Sequence, residues 1–123
     1  ISPLAAPPAV RAQAGTSRHL AAAMSWLRRK QLSLGYDDQV RLYGLAQQAS
    51  SGDCQLRPLT PCVAGPFARA KRKSWEAQRG MPRAEATRAL CDVLLEVDPA
   101  FRAAHPRIAL AQAPARLAAP GPP

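Results

Sequence analysis

The sequence predicts an all-α protein, a four-helix bundle carrying extended Ala/Pro-rich tails. Three observations predict it. Apolar residues recur at helical spacing in four segments, and no stretch alternates apolar and polar as a strand does. Gly, Pro and Asp clusters fall where those segments stop. Nine of the thirteen prolines lie outside residues 18–98, so both ends lack the period of a packed helix.

Residues 1–16 read as a tail, because Ala, Pro and Gly there give neither a period nor a cap. A first helix is expected over 17–31. Ser17 is its candidate N-cap, and Leu20, Ala23, Met24 and Leu27 make the i, i+3, i+4, i+7 stripe. Arg28, Arg29 and Lys30 close it, where cations suit the helix dipole. A second helix is expected over 37–51, capped by Asp37 or Asp38 and stopped by Ser50-Ser51-Gly52-Asp53. Pro58, Pro61, Gly65 and Pro66 make residues 53–67 a loop, since a helix cannot run through those prolines. A third helix spans 68–79 and stops before Gly80. A fourth spans 82–97 with Pro82 at its first position, carries Ala86, Ala89, Leu90, Val93, Leu94 and Val97, and ends at Asp98-Pro99. The domain is therefore bounded at 17–98. Residues 99–123 form a second tail, a short helix or an extended strap.

The chain of 123 residues holds one domain and little else, and its net charge is +9. Residues 18–98 hold 13 basic and all 8 acidic side chains, while Arg11, Arg102, Arg107 and Arg116 stand in flanks without any acid. That balance favours phosphate-bearing ligands, anionic lipid or nucleic acid. Nucleic acid is the weakest of these. The cluster Arg69, Lys71, Arg72, Lys73 lacks the interleaved aromatic rings of single-strand binders, and Trp75, the nearby ring, reads as core, as does Trp26. Cys54, Cys62 and Cys91 show no CxxC spacing, and His19 and His105 belong to no ligand-like cluster, so no metal site is expected. Reduced thiols suit the cytosol or a mitochondrial matrix; a Cys54–Cys62 bridge stays open as an alternative. The chain starts at Ile1, and its acid-free opening has the composition of a transit-peptide remainder or of a linker. No apolar run approaches the ~20 residues of a membrane span. No triad, Gly-rich phosphate loop or paired carboxylates supported by a base appear, so no enzyme is expected.

Four short strings then occur in order. Val40-Arg41-Leu42-Tyr43-Gly44-Leu45-Ala46-Gln47-Gln48-Ala49-Ser50-Ser51-Gly52-Asp53 resembles the signature LYxxYKQATxGD of the acyl-CoA-binding protein family, with Leu42, Tyr43, Gln48, Ala49, Gly52 and Asp53 matching. Arg57-Pro58 resembles the basic-Pro pair that follows in the family. Ala70 to Ala77 resembles AKWDAWxxL, keeping Lys71 and Trp75, and Gly80 to Ala86 resembles GMSKEEAM. The likeness covers roughly residues 18–98.

The resemblance implies a non-catalytic module that binds long-chain acyl-CoA thioesters, needs no other cofactor, and serves as a carrier or a store in fatty acid metabolism. It implies phosphate contacts from Arg28 and Lys71, a nucleotide contact from Tyr43, a weak hydrogen bond from Gln47, and a groove lined by Leu90. The departures are specific. The family's second helix-two tyrosine is Ala46, its adjacent lysine is Gln47, its helix-four tyrosine is Leu90, and its first AKW tryptophan is Arg72. Exchanging that lysine for an amide removes a charge-assisted contact worth about 1–3 kcal/mol. Losing stacking rings removes about 1–3 kcal/mol each. The alternative implied is a structural subunit of a larger, mitochondrial assembly that has lost or weakened ligand binding, with its basic tails strapped on acidic neighbours or on anionic lipid. The ligand-binding reading requires Tyr43 and Lys71 to open into one cleft.

Overall fold

A computed structural model describes the backbone of residues 8–55 and 65–117, and the side chains of 16–55 and 65–112. Arg57-Pro58, Pro61 and Cys62 lie outside the described residues, and so does the question of a Cys54–Cys62 bridge. Among the described residues all regular structure is helical, as expected: α1 Pro8–Lys30, α2 Tyr36–Ser51, α3 Pro66–Glu76, α4 Arg83–Val97, α5 Pro99–Ala104 and α6 Pro106–Leu117.

Helix α1 starts at Pro8, well ahead of the expected Ser17. Proline suits a first helical turn, and Ala9, Ala12 and Ala14 have the strongest helix propensity, so the helix starts early and takes Ser17 into its interior. It ends in a 3-10 turn, Gln31–Ser33, where the Ser33 hydroxyl donates to the Lys30 carbonyl at 2.7 Å. Gly35, in extended conformation, occupies the cap position of α2. Asp37 and Asp38 lie in the first turn instead of capping, where carboxylates meet the positive end of the dipole.

α2 is the central element, packed on both α3 and α4. Its approach to α3 is close enough to need a glycine. A Cβ built on Gly44 would lie 2.6 Å from the Ser74 carbonyl carbon and oxygen. α3 runs Pro66–Glu76, shorter at its C-terminus than the expected 68–79, and a turn follows that ends in Gly80 at φ +90. Pro82 is not the first helical residue of α4. Its ψ of 147 makes it the extended cap.

Beyond Val97 the chain is helical through Leu117 and packs on the domain through Gln112. Asp98 stops α4 and starts α5 with the two oxygens of one carboxylate: Oδ1 accepts the Ala100 N–H at 3.0 Å and Oδ2 accepts the Trp26 indole N–H at 2.8 Å. Phe101 is fully buried, its ring edge-on to Trp26 at 5.5 Å and tilted against His105 at 4.8 Å. Ile108 and Gln112 of α6 are buried too, and the Gln112 amide donates to the Arg88 carbonyl at 2.6 Å. Phe101 and Ile108 join Trp26, Leu42, Leu90 and Leu94 in one apolar core.

Candidate functional site

A groove of about 340 Å³ opens between the end of α1, the middle of α2 and the start of α3. The helical stripe of α1 supplies its apolar wall through Met24 and Leu27, and Arg28 stands on the same face one residue on. α2 supplies Leu42, Tyr43, Ala46 and Gln47, and α3 supplies Phe67 and Lys71. Four of the five residues expected from the sequence, Arg28, Tyr43, Gln47 and Lys71, therefore meet in one cleft.

The geometry fixes the cation of α3. The Lys71 ammonium lies 4.9 Å from the centre of the Tyr43 ring and 4.8 Å from that of Phe67. Each such contact is worth about 0.5–1 kcal/mol where water has access. Two of them hold the charge over the groove while its N–H donors stay available to an anion. The Tyr43 hydroxyl accepts a hydrogen bond from the Gln47 amide at 2.9 Å, which leaves the phenol proton free to donate. Gln47 thus orients the ring that its family counterpart would accompany with a charge. Arg28 and Lys71 are the cations that line the cleft among the described residues.

Leu90 does not line the groove. It is wholly buried in the apolar core with the rest of the inward stripe of α4, and it is absent from the walls of the cleft. Phe67 was not anticipated from the sequence. Its signal was present in the i, i+4 spacing to Lys71, which puts both side chains on one face of α3. Arg72, where the family has a tryptophan, is buried on α3 and ion-paired with Glu76 at 3.4 Å.

The other matching residues form a polar clamp at the far end of α2. The buried Gln48 amide donates to Asp53 Oδ1 at 2.8 Å and to the Met81 carbonyl at 2.9 Å. The Gly80 N–H donates to the same Asp53 oxygen at 2.8 Å. The Trp75 indole donates to the Gly52 carbonyl at 2.8 Å, and the Arg79 guanidinium to the Cys54 carbonyl at 2.9 Å. The Gly80 N–H, and then the Gln48 amide, hold the Asp53 carboxyl below its ordinary pKa. Gly52, at φ +81, makes the bend that brings Asp53 back under Gln48.

The family described as "Acyl CoA binding protein" matches residues 17–94. Among curated proteins, acyl-CoA-binding domain-containing protein 5 of Arabidopsis thaliana is 38% identical over 74 residues, which are 58% of this chain and 11% of that protein. The chain therefore corresponds to a small part of that relative. No solved structure gives a significant match. A groove with cationic and aromatic walls, a clamp built from the signature's Gln, Gly and Asp, and the match over residues 17–94 agree, and the chain belongs to the acyl-CoA-binding protein family.

Proposed function

We propose that the groove seats a fatty acyl-CoA thioester and releases it unchanged, making the chain a carrier or storage module. The observation that carries this is the Lys71 ammonium held between the Tyr43 and Phe67 rings, facing a cleft that Arg28 also lines. Lys71 and Arg28 take the phosphates, Tyr43 offers a ring face and a phenol proton to the nucleotide, and Met24, Leu27 and Leu42 give an apolar wall to the acyl chain. Gln47 acts through Tyr43. The competing reading, a structural subunit strapped down by basic tails, needs a free C-terminal arm, and residues 99–112 are packed against the chain's own core. Cys54 and Cys91 are both buried, and burial pushes the Cys91 thiol up to about 12; a reducing compartment such as the cytosol or a mitochondrial matrix would keep such thiols reduced.

Calorimetric titration of the purified chain with palmitoyl-CoA tests the proposal. Saturable one-to-one binding, tighter than that of CoA alone, is expected. Heat indistinguishable from dilution at ligand concentrations of tens of micromolar, roughly −6 kcal/mol or weaker, would overturn it.

A further inference from the structure

We propose that the mouth of the groove docks on an anionic lipid bilayer. Four large apolar side chains are well exposed among the described residues: Leu32 at 87%, Tyr36 at 53%, Phe67 at 37% and Leu110 at 73%. Three of them gather in one place. Leu32 and Phe67 line the groove, and the Tyr36 ring lies against Phe67 with centroids 5.1 Å apart. They come from three separate segments, the turn after α1 and the starts of α2 and α3, so the fold and not the local sequence assembles them. An exposed apolar patch with a polar rim marks a contact surface.

The charges beside the patch select the partner. Arg28 and Lys30 are exposed in the last turn of α1, shortly before Leu32, and the Lys71 ammonium sits on the Phe67 ring. Arg29 belongs to another face, its guanidinium 5.5 Å from the centre of the Trp26 ring. Asp37 and Asp38 follow Tyr36 and oppose these charges. Three cations against two carboxylates leave this end positive. Leucine and aromatic tips beside a cationic collar match the boundary between headgroups and acyl chains, and each Lys or Arg near an anionic surface adds attraction. An open groove separates the tips. A fluid bilayer conforms to such a gap, whereas a protein partner needs a packed, shape-matched core. The docking holds whatever ligand the groove takes, and it gives an amphiphile a route from membrane to groove that avoids water.

Flotation of the full chain with vesicles of phosphatidylcholine, or of phosphatidylcholine and phosphatidylserine at roughly 2:1, tests this. Partitioning onto the serine-containing vesicles is expected to be about tenfold higher and to fall with salt. The basic flanks attract such vesicles by themselves, so the decisive comparison is between variants. Leu32→Asp and Lys30→Glu should each lower partitioning about fivefold or more, and Leu110→Asp, on α6 outside the cluster, should leave it unchanged. All three positions are exposed, so helicity by circular dichroism should stay at the parent value. Three results would overturn the proposal: equal binding to both vesicle types, equal losses at Leu32 and Leu110, or a self-associated chain that Leu32→Asp turns into monomer, which would assign the patch to a second copy.

Discussion

The two faces of α2 make an instructive pair. On one, Tyr43 and Gln47 face an open groove, and the family's second tyrosine and lysine have become Ala46 and Gln47. On the other, Gln48, with Asp53 just beyond the helix, keeps the family's residue types and is locked to Gly80 and Met81 by hydrogen bonds of 2.8–2.9 Å. Adjacent residues thus obey different constraints. Gln48 satisfies buried backbone, so a change there breaks the fold. Gln47 faces solvent and a neighbouring hydroxyl, so a change there alters only what the groove can hold. A single signature string therefore mixes residues that build the bundle with residues that read the ligand.

If that division is right, substitutions on the clamp side should cost stability, and those on the groove side affinity. The largest effect is expected at Gly44. An alanine Cβ must push apart the α2 and α3 backbones, and a loss of about 3 kcal/mol or more should appear in urea unfolding. Gln48→Ala comes next, since it leaves the Met81 carbonyl and Asp53 without their amide donor; about 2 kcal/mol of stability should go. Lys71→Ala should behave in the opposite way. The affinity for palmitoyl-CoA should drop about tenfold or more, with stability changed by about 1–2 kcal/mol at most, the value of its two ring contacts. A large shift in the urea midpoint for that variant would break the comparison. Gln47→Lys restores the charge the family carries and should tighten binding by roughly tenfold at unchanged stability.

The smallest effect concerns acid. Hydrogen bonds from Gly80 and Gln48 depress the Asp53 pKa below its ordinary 3.8, so Asp53 contributes stability above that value and loses it as pH falls through the folded-state pKa. Asp53→Asn should flatten the acid limb of a stability–pH profile, and an unaltered limb would place the acid sensitivity elsewhere.

Much of this fold was legible in the sequence, and the parts that were not share a physical cause. The spacing of Leu20, Ala23, Met24 and Leu27, and that of Ala86 to Leu94, marked the inward faces of α1 and α4 correctly, because the burial of one face imposes a helical period. Residues 8–16 read as an irregular tail and are helical, and of the two readings offered for the stretch after 98, a short helix or a strap, the helical one describes 99–117. Their helices depend on alanine propensity and on a few distant contacts, such as Trp26 with Asp98 and Phe101, which leave no long stripe to read. At the site, Arg28, Tyr43, Gln47 and Lys71 could be placed by resemblance. Leu90 was misplaced for an instructive reason. A leucine on the apolar stripe of α4 is committed to the core, whatever the family carries at that position. Phe67 escaped notice at the end of a proline-rich stretch read as loop, beside a cationic cluster, Arg69 to Lys73, that drew the reading.

The shared carboxylate of Asp98 has a practical consequence. A gene fragment trimmed to the limit of the family match, residue 94, would remove the acceptor of the Trp26 indole together with Phe101, Ile108 and Gln112. The resulting peptide would show bare hydrocarbon along α1 and α4 and would be prone to clump on expression. Anyone preparing this domain should keep the chain at least through Gln112, and could follow Trp26 emission to learn whether the last two helices have seated.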